Sequence, residues 1–158
     1  MTRLKNALRG HFIAPVPTTG AEPADSDYLE LAKWISNVKD DTDEETDDTG
    51  FYDGDGTKET TVTGVSGAYT FDGFYDSEDP AQALVAAKKY KIGDDRKLWH
   101  KIVSADGKKQ WTGLATVSDI KAGDGDATDY EAFGCKITFN QLPKEKAITP
   151  PTGGGSGE

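Results

Sequence analysis

An acidic, glycine-punctuated stretch, KDDTDEETDDTGFYDGDGT at positions 39–57, has the residue types that could bind calcium. Carboxylates supply the oxygen ligands that Ca²⁺ prefers, and a glycine at the sixth position allows the sharp turn of an EF-hand loop. With Gly56 at that position, however, Phe51 falls first and Val62 twelfth, where oxygen ligands are required. The EF-hand pattern is therefore absent.

The charge density of this stretch predicts that it stays in water. Seven of the nine residues from 40 to 48 are acidic, and a packed core element cannot carry that many like charges without partners. We interpret the segment as a solvated loop, and an irregular calcium site that uses Asp53, Asp55 and the acidic run is the alternative. The seven acids are Asp40, Asp41, Asp43, Glu44, Glu45, Asp47 and Asp48.

None of the sequence motifs that would indicate catalysis is complete. The sequence GVSGA at 64–68 resembles a nucleophile elbow but has Ala68 at the second glycine position and lies within strand-like sequence. His11 and His100 are far apart in the chain, and no base, nucleophile or orienting partner can be named for either. Glycine-rich phosphate loops are missing from the sequence. We predict a protein that is not an enzyme and that uses no cofactor or metal.

Composition and charge further restrict the class of protein that this chain can belong to. The 158 residues are 35% hydrophobic, enough for one core, and the net charge of −10 with a pI of about 4.6 argues against steady binding to nucleic acid. The single cysteine, Cys135, excludes an internal disulfide and lies in an alternating pattern typical of a buried strand residue. The apolar run FIAPV at 12–16 is short and broken by proline, so we expect neither a signal peptide nor a membrane span.

The element pattern is mainly β. Residues 97–103 and 110–120 flank Asp106-Gly107, a pair suited to a tight hairpin turn. Residues 28–35 are interpreted as a strand, although their apolar positions also fit a helical stripe. Further strands are predicted at 59–76 and at 130–140, the latter with Phe133, Cys135, Ile137 and Phe139 on one face.

One helix is predicted at 79–93. Asp79 can cap the free amides, Pro80 suits the first helical position, and Gly93 can end the helix. Gln82 falls on the polar side of the pattern. Together these elements predict a basic N-terminal arm over 1–24, one β domain over 25–143 and a flexible C-terminal tail over 144–158.

Residues 28–143 resemble the major tail tube proteins of long-tailed, siphovirus-type phages that infect Gram-positive bacteria. The resemblance rests on an ordered set of short motifs rather than on any one of them. They are WISNV (34–38), FYDGDGT (51–57), VSGAYTFDG (65–73), DPAQAL (79–84), WTGLATVSDI (111–120) and GDGD (123–126).

This family implies a β-sandwich or split barrel flanked by one α-helix. Six copies would form a ring, and stacked rings would form a hollow tail whose inner barrel leaves no exposed sheet edge. The implied partners are other copies of the chain, the tape-measure protein and the tail-end or tip proteins, with no membrane. Double-stranded DNA would be transient cargo that an acidic wall repels. The protein would assemble in the host cytoplasm and reside in the virion.

The resemblance also implies roles for particular residues. By position, the acidic run together with Phe51 and Tyr52 is the loop that contacts the adjacent ring. Candidates to neutralise it on a neighbouring subunit are Arg3, Lys5, Arg9, Lys88, Lys89 and Lys91. Acids that could face the lumen, or equally solvent, are Asp72, Asp119 and Glu131.

A function of a different class remains open. An immunoglobulin-like or carbohydrate-recognising β-sandwich whose acidic loop takes calcium would be a monomeric binding module. Such a module would gain stability from calcium, whereas a tube subunit would polymerise without it.

Overall fold

The computed structural model describes residues 3–52 and 54–148 and is mainly β, as predicted. Its strands fall into one large antiparallel sheet and one separate hairpin. The described residues also contain three short 3₁₀ turns and one α-helix. The strands are β1 (Gly10–Ala14), β2 (Leu29–Glu30), β3 (Ile35–Asp40), β4 (Asp43–Thr49), β5 (Glu59–Ser66), β6 (Ala68–Phe74), β7 (Lys97–Val103), β8 (Lys109–Ala122), β9 (Ala132–Phe139) and β10 (Lys144–Ala147); the helix is α1 (Pro80–Ala86).

The large sheet has the order β2-β1-β7-β8-β9-β6-β3, and β10 pairs with the first part of β8. It curls into a half-barrel. The long strand β8 carries a bulge between Ser118 and Lys121, where Asp119 has a left-handed φ of 53°. The bulge increases the twist of β8 beyond residues 110–116, which pair with β7; β10 and β9 share the other edge of β8.

The core lies on one face of this sheet. Strand β7 alternates buried and half-buried residues along its whole length, as the two-residue period predicted. Phe133, Cys135, Ile137 and Phe139 are all buried on β9, which confirms the predicted face. Cys135 is a free thiol, and burial raises its pKa well above the usual range.

The helix α1 is shorter than predicted. It spans Pro80–Ala86, whereas the prediction extended to residue 93; Gly93 instead begins a 3₁₀ turn. Asp79 caps it as expected, accepting a hydrogen bond from the Gln82 backbone amide at 3.1 Å. No helix among residues 3–52 and 54–148 has the length and hydrophobicity needed to cross a bilayer.

Gln82 is buried, although the sequence placed it on the polar side of the helix. Its Nε2 donates to the carbonyl oxygens of Lys33 and Phe74, each at 3.0 Å, and its Oε1 accepts from the Asp76 amide at 2.7 Å. These three bonds satisfy the buried amide and fasten the first turn of α1 to the ends of β3 and β6.

Removing the helix cap should weaken the fold measurably. The variant Asp79→Ala leaves the Gln82 amide without its side-chain acceptor, and we expect it to lower the free energy of unfolding by about 1 kcal/mol. Urea denaturation checks this. The neighbouring substitution Glu78→Ala is the matched control and should change stability by less than about 0.5 kcal/mol; equal effects of the two variants would contradict a capping role.

Both predicted chain ends need correction. The proposed arm over 1–24 contains β1, whose Ile13 and Ala14 are fully buried, because the short apolar run pairs with β7 inside the sheet. The proposed flexible tail over 144–158 begins with β10, which pairs with β8; residues 149–158 lie outside the described part of the chain.

Two predicted strands are interrupted. The segment 28–35 contains only β2 and the start of β3, because Trp34 adopts a left-handed φ of 64° that no strand accommodates. The segment 59–76 is two strands in different sheets, β5 and β6, separated at Gly67.

Candidate functional site

The acidic stretch forms a β-hairpin, which corrects the predicted loop. Strand β4 contains most of the acids and pairs with the threonine-rich β5, from Asp43 opposite Ser66 to Thr49 opposite Glu59. Every residue of β4 is exposed, and on β5 only Gly64 is partly covered. High like-charge density excludes burial but not an extended backbone, and here both faces of the hairpin remain in water.

The base of the hairpin is fixed to the main sheet. Thr70 Oγ1 on β6 donates a hydrogen bond to Asp41, and Lys39 lies 3.5 Å from the same carboxylate. The bond from Thr70, aided by Lys39, lowers the pKa of Asp41. The Asp41 amide also donates to the Ala68 carbonyl at 2.9 Å, so the two chain segments entering the hairpin lie side by side.

The tip of the hairpin presents aromatic side chains to solvent. Phe51 is 67% exposed and Tyr52 is fully exposed. Asp55 accepts a hydrogen bond from the Thr57 amide at 2.8 Å, which lowers the pKa of Asp55 and shapes the turn. Asp53, part of the calcium alternative, lies outside the described residues. Among residues 3–52 and 54–148, no three His, Cys, Asp or Glu side chains are grouped as metal ligands.

The three acids considered for a lumen all lie at the surface. Asp72 is exposed on β6, next to the buried Phe71, and pairs with Gly134 of β9; Gly134 in turn pairs with Lys121 of β8. Asp119 occupies the β8 bulge, and Glu131 directly precedes β9. This face of the central strands therefore carries both signs of charge, because Asp72 on β6 and Lys121 on β8 flank Gly134 of β9.

The two histidines, which the sequence analysis treated as distant, are in contact. His11 Nδ1 lies 3.2 Å from His100 Nε2, because β1 pairs with β7 and places both rings on the core face. Arg9 Nε donates to His11 Nε2 at 3.3 Å. That nitrogen is thus an acceptor, so His11 Nδ1–H donates to His100, whose own proton then sits on the buried, unpartnered Nδ1.

Burial keeps this histidine pair neutral. Burial, together with the nearby charge of Arg9, lowers the pKa of His11 to about 4. Burial lowers the pKa of the fully enclosed His100 well below its usual range. Rings this deeply enclosed, packed against Phe71 and Phe139, are placed to stabilise the core rather than to meet a substrate. Only the pairing of β1 with β7 reveals them, and no sequence signal pointed to it.

A curled antiparallel sheet with one short helix on its buried face and a free hairpin defines the fold class of this chain. No protein-family model and no curated protein sequence matches it.

Chains of the same fold occur in several solved assemblies. A chain from the tail of an empty gene transfer agent particle, determined with C6 symmetry, matches 92% of this chain and 100% of its own length, at 11% identity and a TM-score of 0.65. A chain from the tube-terminating cap of an anti-feeding prophage matches 94% of this chain and 93% of its own, at 9% identity and a TM-score of 0.57. For a chain of the sheath–tube complex of an extracellular contractile injection system, the coverages are 92% and 93%, the identity is 11% and the TM-score is 0.55. At these identities the similarity concerns the fold.

Proposed function

We propose that this protein is the major tail tube subunit of a long-tailed, siphovirus-type phage. It assembles into rings of six copies, and the stacked rings form the hollow tail through which DNA is ejected. The observation that carries the proposal is the fold shared with the gene transfer agent tail chain over 92% of this chain and the whole of that one. The assignment to phages of Gram-positive hosts draws only on the resemblance of the short sequence motifs.

The hairpin β4–β5 supports an assembly role. An isolated two-stranded hairpin is marginally stable in water, and this one has no buried face of its own. Its apolar side chains, including Val62, Phe51 and Tyr52, are exposed. In the proposed tube the hairpin contacts the adjacent ring, where Arg3, Lys5 and Arg9 of a neighbouring copy offset its acids.

The charge of the chain fits the proposed cargo. Each basic group that neutralises a phosphate adds affinity for DNA. A subunit with a net charge of −10 therefore has little affinity for DNA. The acids Asp72, Asp119 and Glu131 are the proposed contributors to a wall that repels the duplex. The tape-measure protein fills the tube before ejection, and tail-end proteins close its ends. The subunit is made in the host cytoplasm and ends in the virion.

Electron microscopy of the purified protein at rising concentration, in chelator and in calcium, tests the proposal. Rings or hollow tubes in chelator, with a matching rise in light-scattering mass, are the expected result. Single rings that never stack would point instead to a tube-terminating cap, the kind of assembly in which one structural neighbour was solved. A monomer at every concentration that gains thermal stability only with calcium would favour a binding module.

Removing the hairpin should separate folding from stacking. Asp41 and Ala68 are already hydrogen-bonded neighbours, so an Asn-Gly turn can replace residues 42–67 without moving the main sheet. We expect the shortened protein to fold and to retain its half-barrel, because the Asp41–Thr70 contact remains. It should form no stacked tubes by negative-stain microscopy. Tubes as long as those of the intact chain would contradict the role of the hairpin.

A further inference from the structure

An exposed aromatic patch with an acidic rim lies where β3 begins and β6 ends. Its three aromatic residues are 57%, 49% and 84% exposed, and they border a groove of about 670 Å³. Large apolar side chains in a contiguous exposed group mark interaction surfaces more often than scattered ones do. The aromatic patch consists of Trp34, Phe74 and Tyr130, with Asp76, Asp129 and Glu131 at its rim.

Trp34 in this patch has a strained backbone conformation. Its φ of 64° lies in the left-handed region, which a bulky residue rarely adopts. The indole Nε1 donates to Asp76 at 3.2 Å, and the ring stays exposed instead of joining the core. Phe74 and Tyr130 meet edge to face beside it, with ring centroids 6.2 Å apart. Strain at an exposed aromatic residue points to a role outside the subunit fold.

A surface of the opposite character follows α1. The cationic segment, residues 88–92 (KKYKI), exposes Tyr90 by 89% and Ile92 by 85%. Residues 88–97 contain five basic and two acidic side chains in a chain whose net charge is −10. Arg96 holds the segment in shape, since its guanidinium donates to the carbonyl oxygens of Lys91 at 2.8 Å and Lys89 at 2.6 Å.

The two surfaces lie at opposite ends of α1. The first turn of the helix is bonded through Gln82 to the Phe74 carbonyl beside the aromatic patch, and the cationic segment begins after the last turn. Seven helical residues separate them by roughly 10 Å along the helix axis. Each copy therefore offers one surface of each kind, as a head-to-tail contact requires, and repeated head-to-tail contacts form a ring when the rotation between copies closes.

We propose that the aromatic patch of one copy binds the cationic segment of the next copy in the same ring. This inference rests on the proposed tube function. Lys89 and Lys91 would approach the aromatic faces and the acidic rim, while Tyr90 and Ile92 would enter the groove. The basic N-terminal segment is the less suitable occupant, because the proposed function already places Arg3, Lys5 and Arg9 against the acidic hairpin of a neighbouring copy.

Site-directed crosslinking tests the contact directly. Asp129→Cys and Ile92→Cys proteins are prepared separately, mixed, assembled and treated with a short bismaleimide; Cys135 is buried and stays silent. A crosslinked heterodimer in the mixture, absent from either protein alone, is expected. Replacing Ile92→Cys by Leu4→Cys should give none. A crosslink only with Leu4→Cys would overturn the proposal in favour of the N-terminal segment.

Charge exchange provides a second readout. The pair Lys89→Glu and Lys91→Glu should raise the protein concentration needed for assembly about tenfold or more, and adding Asp129→Lys and Glu131→Lys should restore it. The matched control, Lys144→Glu with Lys146→Glu on exposed β10, should assemble at the same concentration as the unsubstituted protein.

Trp34→Gly should relieve the strained φ and raise the thermal stability of the subunit while weakening assembly.

The failures are distinguishable. If the unsubstituted chain forms tubes but no crosslinked heterodimer appears and charge exchange leaves the assembly concentration unchanged, this contact is wrong and the tube function stands. If the unsubstituted chain forms no rings or tubes under any condition, the tube function and this contact both fall.

Discussion

Acidifying the protein from about pH 7 to about pH 4 should lower its free energy of unfolding by about 3 kcal/mol through His11 alone. In the folded state the pKa of His11 is lowered from 6.5 to about 4, whereas the unfolded chain binds the proton near the ordinary value. As the pH falls between those two values the unfolded state gains protons that the folded state refuses, so stability is lost. Complete burial lowers the pKa of His100 well below its usual range, so His100 adds to the loss.

Urea denaturation at a series of pH values measures this loss. The matched control is the double variant His11→Asn with His100→Gln, whose amides occupy the positions of the touching Nδ1 and Nε2 atoms but do not titrate. Its stability should stay flat across the same window. Asp41 and Asp55 have pKa values below their ordinary 3.8, so their contribution is lost only at lower pH. An unfolding free energy for the unsubstituted protein that does not change above pH 4 would rule out the neutral buried pair.

Adding one methyl group at Gly73 should lower the free energy of unfolding by about 3 kcal/mol. A Cβ at this position would lie 2.0 Å from the Trp34 carbonyl oxygen and 2.8 Å from the Ile35 Cα. Both atoms belong to the backbone, so relief requires moving β3 away from β6. That movement would also break the bond that the Phe74 amide donates to the Trp34 carbonyl. Denaturation of Gly73→Ala measures the effect.

The control for Gly73 is a glycine with free space around it. At Gly54, in the exposed hairpin tip, an added Cβ would meet its nearest atom at 3.7 Å. Gly54→Ala should therefore change stability by less than about 0.5 kcal/mol. A Gly73→Ala protein as stable as Gly54→Ala would show that β3 and β6 separate more freely than their close approach indicates.

Sequence patterns identified the strands that bury one face and missed features that depend on pairing. Residues 97–103 and 130–140 alternate because one side meets the core, so both were predicted nearly to their ends. The acidic β4 buries neither face and carries no alternation, so charge density alone suggested a loop.

The same limit applies to the candidate sites. The contact between His11 and His100 joins residues 89 positions apart, and it exists only because a five-residue strand near the N-terminus enters the sheet. Gln82 offered no signal either, since glutamine in a helix is ordinarily exposed. The exposure of the hairpin acids, by contrast, followed directly from the cost of burying charge.

The single buried thiol gives this protein an internal reporter of local opening. Cys135 is buried on the core face of β9, the strand between β8 and β6, so a thiol reagent can reach it only when the packing over that face opens. Its labelling rate therefore measures how often the centre of the half-barrel opens. Because the measurement needs no denaturant, it applies equally to a free subunit and to one held in an assembly, and the ratio of the two rates would report how strongly neighbouring copies suppress that motion.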